Sequence, residues 1–135
     1  MIAQKANMCF MAATILIVDR HDIVRAALCQ WLNMVFPSVH VVEASNSADA
    51  LACIKVLKPS LVIIDILLPG SNGVNATQQI RSVLPQVPIV ILTMYEDEVY
   101  RAEAFKAGAD VFIPQREMYQ ELIPSLRVLL AKVED

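Results

Sequence analysis

The sequence has 135 residues, of which 56% are hydrophobic, and a formal net charge of −3. These values predict one domain with a substantial core. The 11 basic residues are scattered along the sequence, so we expect no nucleic-acid binding by this chain alone. No apolar run reaches the roughly 18 residues that span a membrane. The three cysteines, at positions 9, 29 and 53, lack the spacing of disulfide frameworks or zinc sites. This spacing indicates a reducing, cytoplasmic compartment for Cys9, Cys29 and Cys53.

Apolar runs alternate with segments of helical periodicity along the chain. In chain order, the predicted elements are strand 14–18, helix 22–35, strand 39–43, helix 47–57, strand 61–65, helix 74–83, strand 88–93, helix 96–107, strand 110–113 and helix 118–132. Proline, glycine and first-turn carboxylates mark the boundaries, and Pro124 predicts that the last helix starts later or bends. Five such units predict an α/β domain over residues 14–132, a doubly wound five-stranded parallel sheet, after a tail over residues 1–13.

Polar side chains follow three of the predicted strands at the point where each strand ends. Asp19 follows the first strand, Asp65 ends the third, and Thr93 ends the fourth. In open parallel sheets the carboxyl ends of the strands meet at one edge, which is where ligands bind. Asp65, which is followed by a turn rich in proline and glycine, is therefore the best candidate for chemistry.

Several nucleotide-binding and enzyme classes are excluded by the motifs around this edge. The three glycines, at positions 70, 73 and 108, form neither GxGxxG nor GxxxxGK[ST]. A phosphatase of the dehalogenase type would carry a second aspartate two residues after Asp65, where Leu67 stands. No serine or cysteine lies in a nucleophile elbow such as GxSxG. The features that remain are an exposed carboxylate, a second acid, a hydroxyl and a flexible turn.

Four motifs together resemble the receiver domains of two-component response regulators. They are ILIVD at the first strand, LVIIDILLPGSNG around the third, PIVILT at the fourth and KAGADVFI before the fifth. The resemblance covers about residues 14–130 and is greatest to receivers of the NarL/FixJ (LuxR) type. It implies a CheY-like, flavodoxin-like (βα)5 fold and a role in phosphorelay signalling rather than an enzyme.

The resemblance also implies roles for individual residues. Asp65 stands at the position that accepts a phosphoryl group from the phosphohistidine of a sensor kinase. Thr93 matches the hydroxyl residue that turns toward the phosphoryl group, and Phe112 matches the aromatic residue that switches with it. Asp19, Asp65 and the backbone of Leu67 match the positions that hold Mg²⁺.

Two positions depart from the family pattern. Arg20 replaces the second acid, a principal metal ligand, and Gln115 replaces the lysine at the end of the last strand. Arg116 is next in sequence, but successive residues of an extended segment face opposite ways, so it is a poor substitute. We therefore expect weak Mg²⁺ affinity. Arg20, in an acidic pocket with Asp19 and Asp65, is hypothesised to pair with Asp65 through two hydrogen bonds.

Two functions stay open. Either Asp65 is a working, Mg²⁺-dependent phospho-acceptor that controls an output domain, or this is an atypical receiver, weakly phosphorylated or not at all, that acts through protein contacts. The departures favour the second, and a small α/β hydrolase is a distant third. A sensor histidine kinase and a second copy of the chain are the implied partners, with DNA reached only through an output domain.

Other candidates have simpler interpretations. Asp22 fits a helix cap better than a displaced metal ligand. His21 and His40 lack partners at metal spacing and are expected at the surface. Self-association is expected through the first and last helices or through the last two helices, where Val99, Phe105, Leu126 and Leu130 offer apolar side chains.

Overall fold

The computed structural model describes residues 13–68 and 71–134, with side chains over 13–66 and 73–131. The predicted tail lies outside these residues except for Ala13, which is buried. Cys9 also lies outside them. The division into a tail over residues 1–13 and a domain over residues 14–132 therefore stays a prediction.

Within the described residues, five strands alternate with five helices. The strands are β1 (Thr14–Val18), β2 (His40–Ala44), β3 (Leu61–Ile64), β4 (Ile89–Thr93) and β5 (Val111–Pro114). The helices are α1 (Asp22–Val35), α2 (Ser47–Leu57), α3 (Gly73–Val83), α4 (Glu98–Ala107) and α5 (Met118–Glu134). A 3₁₀ turn over Gln115–Glu117 precedes α5, and a hairpin of Leu67–Leu68 with Ser71–Asn72 lies between β3 and α3.

The five strands form one parallel sheet in the order β2-β1-β3-β4-β5. The chain runs outward from β1 to β2 and then crosses back to β3, so the winding direction reverses between β1 and β3. This confirms the predicted doubly wound sheet. The crevice beyond the carboxyl ends of β1 and β3 is the switch point where such sheets bind ligands.

Apolar side chains alternate between the two faces of the sheet and build a core on each. On one face Leu16 and Val18 of β1 pack with Ala50, Ile80 and Ala104 of α2, α3 and α4. On the other face, neighbouring residues of β1 pack against α1 and α5. Helices therefore cover both faces, which explains why the strands are apolar throughout.

Local signals set the helix boundaries. Asn46 caps α2 by accepting the Asp49 N–H at 2.8 Å. Asp97 caps α4 by accepting the Val99 N–H at 2.9 Å, so this helix begins at Glu98, two residues later than predicted. Gly108 ends α4 at φ +117°, a left-handed conformation that favours glycine.

The last helix corrects two expectations. It begins at Met118, ahead of Pro124, so the alternative of a later start is wrong. Leu126 and Leu130 are buried against the sheet and do not contribute to an exposed patch, because the apolar face of α5 faces the core. Val99 and Phe105 of α4 are exposed, as expected.

Among the described helices, none has both the length and the apolar character needed to cross a bilayer.

Candidate functional site

The strand register brings Asp19 and Asp65 side by side. Val18 pairs with Ile64 across β1 and β3, and each aspartate follows its strand directly. The Asp65 N–H donates to the Val18 carbonyl at 2.9 Å, so the ladder continues to this point. Asp19 is 8% exposed and Asp65 is half-buried. The predicted convergence of two carboxylates at the switch point is therefore present in the structure.

His21 joins the two aspartates, and the sequence interpretation missed it. Its backbone N–H donates to Asp19 Oδ1 at 2.7 Å, and its ring Nδ1 lies 3.3 Å from the same oxygen. One donor atom each from Asp19, His21 and Asp65 lies within 4.8 Å of the others. The expectation that His21 lacks partners at metal spacing is wrong, because the turn after β1 brings the second residue after Asp19 back to the same side.

Arg20 is exposed and does not line the cavity beside Asp65. Among the described side chains, it takes part in no ion pair, so the hypothesised pair with Asp65 does not form. The physical reason is the alternation of side chains along extended backbone, which turns Asp19 inward and Arg20 outward. The predicted acidic pocket of Asp19, Arg20 and Asp65 is thus corrected to Asp19, His21 and Asp65.

Arg25 holds the turn between β1 and α1. Its guanidinium donates to the Asp19 carbonyl at 2.6 Å, to Glu43 at 3.0 Å and to Asp22 at 2.8 Å. Burial of this guanidinium opposes its charge, but the hydrogen bonds to Asp22 and Glu43 outweigh that effect and raise its pKa. The sequence interpretation missed Arg25 because its partner Glu43 lies in a separate element, strand β2. The spacing of Asp22 and Arg25, i and i+3 on one helix, was the available signal.

Asp22 and His40 lie outside the pocket. Asp22 is exposed in the first turn of α1 and pairs with Arg25. It is not the cap, since His21 occupies that position without a side-chain cap bond. His40 is exposed on β2, as expected.

The loop after Asp65 is closed against the start of α3. The Gly73 N–H donates to the Ile66 carbonyl. A Cβ at position 73 would lie 2.5 Å from the Asp65 carbonyl oxygen and from the Ile66 Cα, too close for any side chain. Glycine is therefore required for the loop that carries Asp65 to pack on α3. Leu67, whose backbone matches a metal-binding position, lies in the hairpin and pairs with Asn72.

Thr93 and Phe112, the two expected switch residues, lie on neighbouring strands. Thr93 is 1% exposed, and its hydroxyl accepts the Tyr95 N–H at 3.0 Å. Phe112 of β5 is buried, and the Arg101 guanidinium lies 5.7 Å from its ring centroid. A change in the Thr93 hydroxyl would thus act directly on the loop that begins α4.

Gln115 lines a small cavity of about 80 Å³ together with Asp19, His21, Asp65 and Met94. The neighbouring arginine does not replace a lysine there. Arg116 is exposed and pairs with Glu96 and Glu117. The hydrogen bond that Arg116 donates to the Glu96 carboxylate raises the pKa of Arg116. The cavity therefore holds an uncharged amide at the position where the family carries an ammonium group.

The side chains in this pocket that could hold a metal ion are two carboxylates and one imidazole. Mg²⁺ prefers an octahedral set of oxygen ligands, and imidazole suits later transition ions. The donor set thus differs from the all-oxygen set that the family resemblance implies.

Comparisons with known proteins agree on the family. The response regulator receiver domain family matches residues 15–127. The response regulator protein VraR of Staphylococcus aureus is 33% identical over 119 residues, which cover 87% of this chain and 56% of VraR. This chain therefore spans about half the length of the curated relatives it matches.

Solved structures give the same result. A two-component response regulator of the LuxR family from Aurantimonas sp. SI85-9A1 has a TM-score of 0.82 at 31% identity, covering 89% of this chain and 86% of that chain. A CheY-like receiver domain protein from Methanospirillum hungatei JF-1 has a TM-score of 0.82 at 24% identity, covering 90% and 96%, and shows the same fold. The predicted CheY-like fold and the resemblance to NarL/FixJ (LuxR) receivers are confirmed, and the chain belongs to the response regulator receiver domain family of two-component systems.

Proposed function

We propose that this receiver is an atypical signalling module that is phosphorylated weakly or not at all at Asp65 and acts through protein contacts, including contacts with a second copy of itself. The observation that carries the proposal is Gln115 in the cavity beside Asp65. No described lysine or arginine side chain lines that cavity. A phosphoryl group formed there would lack its usual organic cation.

Charge explains why this weakens phosphorylation. Phosphoryl transfer depends on positioning and on stabilisation of the charge spread over the equatorial oxygens. Two unit charges 4 Å apart interact by about 4 kcal/mol at the partly buried edge of a protein. A phosphoryl group on Asp65 carries about −1.5 to −2 charges in place of the single charge of the free carboxylate, and it lies beside Asp19. The nearby Arg25 already binds Asp22 and Glu43. The uncompensated repulsion favours the unphosphorylated state.

The alternative is a working Mg²⁺-dependent switch that controls an output domain. Its support is the buried Thr93 at the carboxyl end of β4, next to the strand that carries Phe112. This arrangement would convert a phosphoryl group into movement of α4, a population shift of a few kcal/mol. Neither the comparisons nor the pocket supports a small α/β hydrolase.

An apolar surface near the pocket suits contacts with another protein chain. We define the α4 face as the exposed side chains of Met94, Tyr95, Val99, Tyr100 and Phe105. Met94 is 70% and Val99 is 64% exposed, and Met94 also lines the Asp65 cavity. Tyr95 and Tyr100 pack edge to face with ring centroids 6.0 Å apart, and clustered exposed apolar side chains mark interaction sites more often than isolated ones. The α4 face is therefore the proposed homodimer surface, in a cytoplasmic setting where a sensor histidine kinase is the other partner.

Sedimentation equilibrium tests this function. The wild type should self-associate without any phosphodonor, and Asp65→Asn should leave the dimer unchanged. Val99→Glu should weaken the dimer about tenfold or more, because it buries a carboxylate in an apolar contact. Val56→Glu is the matched control, since Val56 is 80% exposed on α2. A dimer that forms only after phosphorylation, or a monomer in every condition, would refute the proposal.

A further inference from the structure

The structure assigns a transition-metal site to Asp19, His21 and Asp65: we propose that the pocket binds Zn²⁺ in preference to Mg²⁺. The inference does not rest on phosphorylation of Asp65 or on self-association. It follows from the difference between the donor set found here and the oxygen set that Mg²⁺ requires.

The separation of one donor pair, His21 and Asp19, is closer to that expected around a tetrahedral ion than around an octahedral one. His21 Nδ1 and Asp19 Oδ1 are 3.3 Å apart. Two ligands at the usual Zn²⁺ distances and the tetrahedral angle lie about 3.4 Å apart, whereas adjacent ligands of octahedral Mg²⁺ lie about 2.9 Å apart. The observed separation is also longer than an ordinary N–H···O hydrogen bond. The imidazole and the carboxylate are thus already spaced as two corners of a zinc site.

Asp65 completes the set from the neighbouring strand. Its carboxylate lies within 4.8 Å of the other two donors, a span that small side-chain rotations around one ion would close. Three protein ligands with a fourth position open to water are typical of zinc sites that carry out chemistry. The adjoining cavity of about 80 Å³ gives room for such a water.

The chemistry of the donors selects the ion. Imidazole suits zinc, copper and nickel, while magnesium prefers carboxylate, carbonyl and water oxygens. Two carboxylates also balance the charge of one dication. Because Arg20 is exposed where the family carries the second acid, the pocket has lost an oxygen ligand that favours Mg²⁺, and His21 supplies nitrogen in its place.

The surrounding contacts hold the ligands before any ion binds. Arg25 donates to the Asp19 carbonyl at 2.6 Å and so fixes the turn that presents His21. The His21 N–H donates to one oxygen of Asp19 at 2.7 Å, which orients that carboxylate. Partners that orient metal ligands in this way typically change metal affinity by about 10- to 100-fold when removed.

Calorimetric titration of the untagged, full chain with Zn²⁺ and separately with Mg²⁺ tests the site. We expect one equivalent of Zn²⁺ to bind about 100-fold more tightly than Mg²⁺. His21→Ala and Asp65→Asn should each weaken Zn²⁺ binding by about tenfold or more. His40→Ala is the matched control, because His40 is exposed on β2 and should leave the affinity unchanged. Circular dichroism confirms that each variant is folded.

A second variant reverses the preference. His21→Asp supplies an oxygen ligand in place of nitrogen and should narrow or invert the ratio of Zn²⁺ to Mg²⁺ affinity. A Zn²⁺ affinity that survives His21→Ala, or equal affinities for the two ions in the wild type, would overturn the proposal. So would the absence of Zn²⁺ binding, which would leave His21 as an ion-pair partner of Asp19. None of these outcomes bears on self-association, so the two proposals fail independently.

Discussion

At the scale of single residues, the orientation of two consecutive side chains decides the character of the pocket. Both residues are exposed, but the ring of His21 also contacts Asp19. The pocket therefore receives an imidazole and not a guanidinium, although the arginine is the residue that departs from the family pattern. Gln115 is the departure that reaches the cavity itself. Relative to the family pattern, Arg20 replaces a carboxylate ligand of the metal ion. Gln115 replaces the positive charge of a lysine.

Arg25 gives a prediction at this scale. Arg25→Met should lower the free energy of unfolding by about 1 to 3 kcal/mol, because it leaves the Asp19 carbonyl and two carboxylates without their donor. Urea unfolding measures this difference. Arg20→Met is the control, since it removes an exposed arginine with no ion pair among the described residues and should stay within about 0.5 kcal/mol of wild type. Equal effects of the two substitutions would show that the Arg25 contacts are not stabilising.

At the scale of elements, the loop that carries Asp65 depends on its contact with α3. The two chain segments approach so closely at Gly73 that a Cβ would overlap the backbone of Asp65 and Ile66. This contact couples the first turn of α3 to the position of Asp65. A disturbance of α3 should therefore reach the site.

Gly73→Ala should destabilise the fold by about 1 to 3 kcal/mol, the usual cost of inserting a methyl group where there is no room. Gln78→Ala, at an exposed position of the same helix, should be neutral within about 0.5 kcal/mol. Thermal and urea unfolding compare the two. If Gly73→Ala changed the free energy of unfolding no more than the control does, the backbone around position 73 would have to move apart without any loss of stability, which would contradict this account.

Elements with strong local signals were predictable, and long-range contacts were not. Helix α1 begins and ends where its apolar spacing and Pro37 predict. The hairpin after Asp65 was missed because two-residue strands leave no periodicity to detect. Asp19 and Asp65 were found because each ends an apolar strand. Arg25 was missed because its bond to Glu43 depends on the pairing of β1 with β2.

At the scale of the whole molecule, the carboxyl edge of the sheet carries two separate features, the Asp65 pocket and the α4 face. The pocket lies beyond β1 and β3, and the α4 face continues from it through Met94. A receiver with an amide at position 115 would still present the α4 face, whose apolar side chains are exposed in this structure. On the proposed function, the same scaffold would serve contacts with other chains without the phosphorylation step.

Intact mass spectrometry after incubation with acetyl phosphate and Mg²⁺ tests the central claim, weak or absent phosphorylation of Asp65. The variant Arg20→Asp/Gln115→Lys places a carboxylate directly after Asp19 and a cation at the cavity, and adding Asp65→Asn to it removes the carboxylate of Asp65. The account predicts little or no phosphoryl group on wild type, one phosphoryl group on the restored variant, and none once Asp65 is replaced. Full Mg²⁺-dependent phosphorylation of wild type at Asp65 would contradict it and establish a working switch.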